Sequence, residues 1–207
     1  MKMIAGLSIV LWVAATSLAH AQAWPQRPII KAHPDKHSFG SAGNGTSQHM
    51  SGELFKSMTG VQMQYIPYKG SGPMIPDLLG GTLSMSFENL TTAYPPAKQG
   101  KLKALAVTSA KRSFIAPEVP TLAEAGLVGF DISSWQALFA PGGTPKPIVD
   151  RLYAETAKAL NAPDVIKRLQ DLGLDAGGMT PDALTAKLRE DIPRLGKIVR
   201  DSDAKVD

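Results

Sequence analysis

From residue 38 onward, short strand-like runs alternate with short helical runs along the chain. A glycine-rich turn over 41–46 leads into a segment in which an apolar residue recurs at every fourth position: Met50, Leu54 and Met58. That spacing places three apolar side chains on one helix face, and a glycine is a typical helix stop. The pattern therefore predicts a helix over 47–58 that ends at Gly60.

The same alternation continues through the middle of the chain. The runs 61–68 and 82–87 alternate apolar with polar residues, which predicts strands. The run 102–108 is mostly apolar, which predicts a central strand buried on both faces. Helices are predicted over 73–79 and, in broken form, over 91–99. Because strands alternate with helices, we predict an α/β fold with a largely parallel sheet.

The last third of the chain is predicted to be mostly helical. A short helix at 122–125 and a strand-like run near 135–139 come first, and the aromatic residues of that run are interpreted as core or hinge packing. Thr144 and Thr180 each precede a proline, as helix N-caps do, and a glycine closes a helix over 163–172. The helix after Thr144 is expected to direct four apolar side chains to one side: Ile148, Val149, Leu152 and Leu160.

The first 23 residues have the pattern of a cleavable signal peptide. Lys2 precedes an apolar run over 4–15, and Ala19, Ala21 and Ala23 offer small residues for a signal peptidase. A membrane anchor is the alternative, but a spanning helix needs about 20 apolar residues, which is more than this run supplies. We therefore expect export to the periplasm.

Composition narrows the classes of function. The chain has no cysteine, so we expect neither disulfides nor thiolate metal sites. Its formal net charge of +4 comes from basic residues that are scattered along the chain, and we predict no nucleic-acid binding. His33 and His37 stand four residues apart, but Pro34 opposes a regular helix through them, so no metal site is predicted. No cofactor is predicted.

The sharpest local signal is a glycine-rich turn that runs directly into a helix. Gly43 and Gly45 permit positive φ angles, and the first-turn amides of a helix favour a carboxylate or phosphate. Ser41, Thr46 and Ser47 could add hydroxyl donors. The alternative is that Thr46 only caps the helix while the glycines only turn the chain. The spacing matches neither a Walker motif nor a dinucleotide fingerprint.

Two further loops follow predicted strands. In a parallel sheet they lie at the same carboxyl edge as the first loop, where ligands bind in open α/β folds. Tyr68, Lys69, Gly70 and Ser71 form the second loop, for which a surface turn with a solvated lysine is the alternative. The third loop offers Glu88 or Asn89 as an acceptor for a ligand hydroxyl or ammonium group.

An enzymatic site is not predicted. Ser41, His49 and an aspartate could be combined on paper as a hydrolase triad, but the sequence has no G-x-S-x-G elbow. No motif marks a nucleophile, a base and an orienting group together.

From Lys31 to the C-terminus, the chain resembles the substrate-binding receptors of tripartite tricarboxylate transporters, the Bug-type extracytoplasmic solute receptors. Seven motifs in the same order carry the resemblance: SFGSAGNGTSQH (38–49), SGELF (51–55), PYKG (67–70), DLLGG (77–81), GKLKALAVTSAKR (100–112), VPTLAEAG (119–126) and APGGTP (140–145). The segment WPQRP (24–28) is also similar to the start of the mature family proteins.

The resemblance implies a type II periplasmic-binding-protein fold with two lobes that close over a small carboxylate. It implies a signal peptide (1–23), a stub of the first lobe (24–31), a largely complete second lobe (32–134) and a crossover with helical remainder of the first lobe (135–207). The first lobe is thus expected to be truncated. An exported remnant that no longer binds ligand is therefore the main alternative, and an α/β enzyme is a weaker one.

The resemblance also implies a ligand and partners. The expected ligand is a small di- or tricarboxylate-like anion, and the expected partners are integral-membrane transporter subunits. The implied ligand-binding residues belong to the three loops: Ser41, Gly43, Asn44, Gly45, Thr46, Tyr68, Lys69, Gly70, Ser71 and Glu88. His49 matches a recurrent family position, where it is expected to hold the helix.

Overall fold

The computed structural model describes residues 36–202. That part of the chain contains three strands, β1 Ser38–Ser41, β2 Gln64–Pro67 and β3 Met85–Ser86. It also contains six helices: α1 Ser47–Thr59, α2 Ser71–Leu79, α3 Leu90–Lys98, α4 Lys146–Leu160, α5 Pro163–Asp171 and α6 Pro181–Asp201. None of these six helices combines the length and the apolar character needed to span a membrane.

The three strands form one parallel sheet in the order β2-β1-β3. Phe39 of β1 stands opposite Tyr65 of β2 and Met85 of β3. The predicted α/β fold with a parallel sheet is therefore confirmed. Because β2 and β3 both run parallel to β1, all three strands end at the same carboxyl edge.

Helices cover the two faces of the sheet, as successive side chains of β1 show. Phe39 points towards α1, where Gly52 lies so close that an added Cβ would fall 2.0 Å from the phenyl ring. Gly40 points the other way, and a Cβ there would fall 3.0 Å from the sulfur of Met74 in α2. The sheet is thus sandwiched between α1 and α2, the arrangement of an α/β domain.

The main core lies on the α1 face of the sheet. The ring of Phe39 packs 5.1 Å from Tyr65 and 6.1 Å from Phe87, measured between ring centroids. Other buried members come from α1, from the segment between α1 and β2, from β3 and from residues 122–132: Met50, Phe55, Val61, Met63, Met85, Leu122, Leu127, Phe130 and Ile132. Helix α6 closes this core, because Leu195, Ile198 and Val199 pack against it.

The prediction of a central strand over 102–108 is wrong. Only Val107 pairs, in an isolated parallel bridge with Thr121. Its amide donates to the carbonyl of Pro120, and its carbonyl accepts from the amide of Leu122. The next ladder bond towards residue 105 would need an amide hydrogen on Pro120, which proline lacks. The pairing therefore stops after one bridge.

Two other local predictions are corrected. Residues 122–125 form a hydrogen-bonded turn instead of a helix, with the amide of Ala125 bonded to Thr121. The run 135–139 is not a strand, because in the described residues it has no neighbouring strand to supply ladder bonds. Its aromatic residues are also not core, since Trp135 is 40% and Phe139 is 64% exposed.

An open apolar trough lies between the α/β core and the helices that follow it. It encloses a volume of about 1660 Å³. Its walls include exposed apolar side chains from the run after residue 134, from α4 and from the segment after α5: Trp135, Leu138, Phe139, Leu152, Leu172, Leu174 and Met179. The apolar face predicted for α4 is therefore only partly covered, because Ile148 and Leu152 are exposed while Val149 and Leu160 are partly buried.

We expect Gly52→Ala to destabilise the fold by about 3 kcal/mol, because its methyl group would overlap the ring of Phe39 in a close-packed core. Gly72→Ala is the matched control, since nothing lies within 4 Å of a Cβ at that helical position. That control should be neutral or slightly stabilising. Urea unfolding of both variants measures the difference, and equal free energies of unfolding would contradict the packing described here.

The trough should make the protein bind a hydrophobic dye and self-associate, because exposed apolar patches of this kind favour association. Leu138 and Phe139 form a large part of this exposed apolar surface, since their side chains are 69% and 64% exposed. Replacing both with serine should lower dye fluorescence and shift sedimentation towards the monomer, with little change in the free energy of unfolding. A parent protein that sediments as a monomer and binds no dye would refute this expectation.

Candidate functional site

The loops that follow β1 and β2 lie side by side at the carboxyl edge of the sheet. The amide of Tyr68 donates to the carbonyl of Ser41 at 3.0 Å, and that of Gly70 donates to Ala42 at 3.0 Å. These two bonds continue the β1–β2 pairing beyond the strands themselves. The structure therefore brings the first two predicted loops, 41–46 and 68–71, together.

Ser41 braces the first loop from inside. Its side chain is fully buried, and its Oγ lies 3.1 Å from the amide of Gly43 and 2.9 Å from the hydroxyl of Tyr65. The Tyr65 hydroxyl in turn donates to Oδ1 of Asn44 at 3.0 Å. Ser41 and Asn44 thus use their side chains to hold the turn.

His49 holds the same loop from the helix side. Its Nδ1 accepts a hydrogen bond from the amide of Gly45 at 3.2 Å, and its ring stacks on Tyr65 at 3.9 Å between centroids. Burial lowers the pKa of His49, although the carboxylate of Glu53 acts in the opposite direction. The imidazole is therefore neutral near pH 7, with the proton on Nε2, which faces Glu53 at 3.9 Å.

Thr46 is the N-cap of α1, as one of the two sequence interpretations expected. Its Oγ1 accepts from the amide of His49 at 3.3 Å and donates to the carbonyl of Gly43 at 2.7 Å. Within residues 36–202, the backbone amides of Ser47 and Gln48 have no protein acceptor. These first-turn amides are the open donors of the loop, at the positive end of the helix dipole.

The second loop contributes less polar chemistry than its sequence suggested. The hydroxyl of Tyr68 donates to Asp77 of α2 at 2.7 Å, and this hydrogen bond raises the pKa of Tyr68. Lys69 is exposed, and Gly70 stands at the start of α2 with a φ of 99°. Ser71 is the first residue of α2 and is partly buried. Lys69 is therefore the residue of this loop that can approach a ligand as a charge.

A polar cluster joins the ends of β1 and β3 and consists of Ser47, Gln48, Glu88, Asn89 and Ser134. Gln48 Nε2 donates to Glu88 Oε1 at 3.3 Å, and the backbone amide of Asn89 donates to the same oxygen at 2.7 Å. The hydroxyls of Ser47 and Ser134 lie 2.6 Å apart, and Ser134 also donates to Oδ1 of Asn89 at 3.2 Å. In the order β2-β1-β3, the chain reverses direction across the sheet between β1 and β3, where open α/β folds bind ligands.

Sequence reasoning missed Gln48 and Ser134 as members of this cluster. Gln48 could have been found from its place in the first turn of the predicted helix. Ser134 carried no signal, because it lies far along the chain from the three loops, just before the run that was predicted to be a strand. No group of three or more potential metal ligands occurs among residues 36–202.

Helix α6 holds the segment that carries Ser134. Arg194 donates to the carbonyl of Asp131 at 2.6 Å, and Trp135 Nε1 donates to the buried Asp191 at 3.3 Å. Burial alone would raise the pKa of Asp191, but hydrogen bonds from Lys187 and Arg194 more than offset it and lower the pKa. A charged anchor on α6 thus positions one wall of the cluster.

Residues 1–203 match the family described as the tripartite tricarboxylate transporter family receptor. The chain belongs to this family. It is a family of transporter receptors and not of enzymes.

Relatives and solved structures agree with this assignment. A UPF0065 protein in the tcbD-tcbE intergenic region of Pseudomonas sp. strain P51 is 39% identical over 175 residues, which are 83% of this chain and 52% of that protein. Protein BugT of Bordetella pertussis is 36% identical over 176 residues, which are 85% of this chain and 54% of BugT. The chain thus spans about half the length of the curated relatives it matches.

Two structures from Rhodopseudomonas palustris show the same fold. Rpa4515, solved with adipate, superposes with a TM-score of 0.75 and is 34% identical in sequence. The matched region is 86% of this chain and 60% of the Rpa4515 chain. MatC, solved with bound malate, superposes with a TM-score of 0.72 and is 33% identical in sequence. The matched region is 84% of this chain and 60% of the MatC chain. Over the shared part, this chain has the fold of these two proteins.

The pH dependence of stability should report on His49. Because its pKa is lowered in the folded protein, the unfolded chain binds the proton more tightly, and acidification favours unfolding. The contribution of neutral His49 to the free energy of unfolding should be fully present above about pH 6.5, the ordinary histidine pKa. It should be lost as the pH falls towards the lowered pKa of His49 in the folded protein. Urea unfolding of the parent and of His49→Gln between pH 7.5 and about pH 5 should show a shallower slope for the variant. Identical slopes would mean that His49 is not the titrating group.

Proposed function

We propose that this receptor binds a small organic anion of the di- or tricarboxylate type at the carboxyl edge of its sheet. The observation that carries the proposal is the pair of open first-turn amides, Ser47 and Gln48, beside the polar cluster between β1 and β3. Membership of the receptor family and the adipate and malate in the two neighbouring structures support the choice of ligand class.

The loop would bind one carboxylate through its backbone. The amides of Ser47 and Gln48 would donate to the carboxylate oxygens, and the helix dipole would add a partial positive charge. Ser41, Asn44, Thr46 and His49 would act indirectly, because their side chains already hold the backbone in place. A site that is held before binding has less conformational entropy to lose, which favours affinity.

The remaining predicted residues would have unequal roles. Gly43 and Gly45 would set the turn, since their φ angles of 142° and 72° disfavour other residues. Lys69 would add an exposed positive charge, whereas Tyr68, Gly70 and Ser71 would shape the neighbouring loop. Glu88 would face the ligand from the third loop.

We further propose that the receptor acts outside the cytoplasmic membrane and delivers its ligand to integral-membrane subunits of a tripartite transporter. The signal-peptide pattern of the first 23 residues and the family description support this place of action. An exported protein that has lost ligand binding is the alternative.

Isothermal titration with adipate, malate and a tricarboxylate tests the proposal. The parent should bind at least one of them, and Gly45→Val should abolish binding, because a β-branched residue cannot hold a φ of 72° without strain. Gly126→Val is the matched control, since Gly126 also has a positive φ, 102°, but lies outside the three loops. That control should keep the affinity of the parent.

Lys69→Ala should weaken the affinity for the carboxylate less than Gly45→Val does, by about fivefold at most, because an exposed ion pair contributes little. The loss should shrink further at higher salt. If Gly45→Val binds the ligand as tightly as the parent does, the anion does not bind at the start of α1. A parent that binds nothing at millimolar ligand would favour the non-binding alternative.

A further inference from the structure

Glu88 in the polar cluster has one oxygen that is satisfied and one that is not. Oε1 accepts from Gln48 Nε2 at 3.3 Å and from the amide of Asn89 at 2.7 Å. Oε2 is buried and has no hydrogen-bond partner among residues 36–202, where it is the only buried side-chain polar atom in this condition. A buried acceptor without a donor is unfavourable, and native structures keep few of them.

The neighbouring hydroxyl protons are already committed. Ser134 donates its proton to Oδ1 of Asn89 at 3.2 Å. The single proton of Ser47 has two acceptors within reach, the hydroxyl of Ser134 at 2.6 Å and Oε1 of Gln48 at 3.4 Å. The two serines of the cluster therefore have no proton left for Glu88, and a donor must come from elsewhere.

No cationic side chain fills this role in the described part of the chain. None of the ion pairs between residues 36 and 202 includes Glu88. Glu88, Asn89 and Ser134 also form one wall of the open trough, so space that a small molecule can enter reaches the cluster. A ligand in the trough would therefore lie beside the Glu88 carboxyl group.

Gln48 links the Glu88 carboxyl group to the proposed carboxylate site. Its backbone amide is one of the two open first-turn donors, and its side chain holds Glu88. A ligand whose carboxylate binds that amide would therefore carry its nearest carbon atoms towards Glu88. A hydroxyl or ammonium group on the carbon next to the carboxylate would be placed to donate to Oε2.

We infer that Glu88 determines specificity and selects small carboxylates with a hydroxyl or amino group next to a carboxylate over unsubstituted ones. This inference rests on the proposed function. Both ligand chemistries occur among the neighbouring structures, since adipate lacks such a donor and malate has one. In this chain, the unpartnered oxygen of Glu88 decides between them.

The test uses succinate, malate and aspartate, which share a four-carbon dicarboxylate frame and differ in the donor. Isothermal titration of the full chain should give affinities for malate and aspartate at least about tenfold higher than for succinate, because a hydrogen bond to a charged group is worth that factor or more. Glu88→Gln should lower the malate and aspartate affinities by about tenfold and leave succinate unchanged. Glu190→Gln, an equal change of charge at an exposed residue of α6, should alter none of them.

Several results would overturn the inference. One is that the parent binds malate, aspartate and succinate with equal affinity. Another is that Glu88→Gln loses affinity equally for all three ligands while thermal melting shows that the variant is folded. Binding of adipate or succinate without binding of malate or aspartate would refute the role of Glu88 and leave the proposed function standing. Absence of binding for every carboxylate would refute both.

If Glu88→Gln fails to fold, Asn89→Pro provides a second route, because it removes the amide that holds Oε1 at the residue before α3. Selectivity for malate and aspartate over succinate should then fall, and unchanged selectivity would count against Glu88.

Discussion

The close contact between Phe39 of β1 and Gly52 of α1 determines how the parallel sheet and its first helix fit together. A Cβ at position 52 would overlap the phenyl ring, so the helix lies directly on the central strand. Because β2 and β3 both pair with β1, their registers follow from its position. The same contact fixes where the first turn of α1 stands relative to the ends of all three strands. The candidate site is therefore a consequence of how one helix packs on one strand.

This packing explains why polar side chains in the first loop are structural. Ser41 and His49 lie at the junction of β1 and α1, are almost completely buried, and hold backbone amides of the glycine-rich turn. A buried polar group without a partner is unfavourable, so these side chains are committed to the loop. The donors that remain open belong to the backbone of the first helical turn. A rigid loop with open amides is suited to bind an anion with little reorganisation.

The C-terminal helix couples a distant part of the chain to the same site. Asp191 accepts hydrogen bonds from Lys187, Arg194 and Trp135, and Arg194 also holds the backbone at Asp131. Ser134, between those two anchor points, thereby reaches Ser47 and Asn89. The next residues leave this anchored segment and line the apolar trough. One segment thus belongs both to a well-bonded polar cluster and to an uncovered apolar surface.

Features that depend on a few neighbouring residues could be predicted from the amino-acid sequence alone. The helix stop at Gly60, the cap at Thr46 and the turn glycines were predictable because each depends on a few neighbouring residues, and the alternation of strands with helices indicated the parallel sheet. Which polar groups stay open could not be predicted, because the hydrogen-bond partners are distant in sequence, as Tyr65 is from Ser41 and Ser134 is from Ser47. The tertiary structure also decided that 102–108 is not a strand, since a ladder needs a partner, and the partner here contains Pro120. Apolar runs show that a segment can be buried, but only the fold provides the surface that buries it.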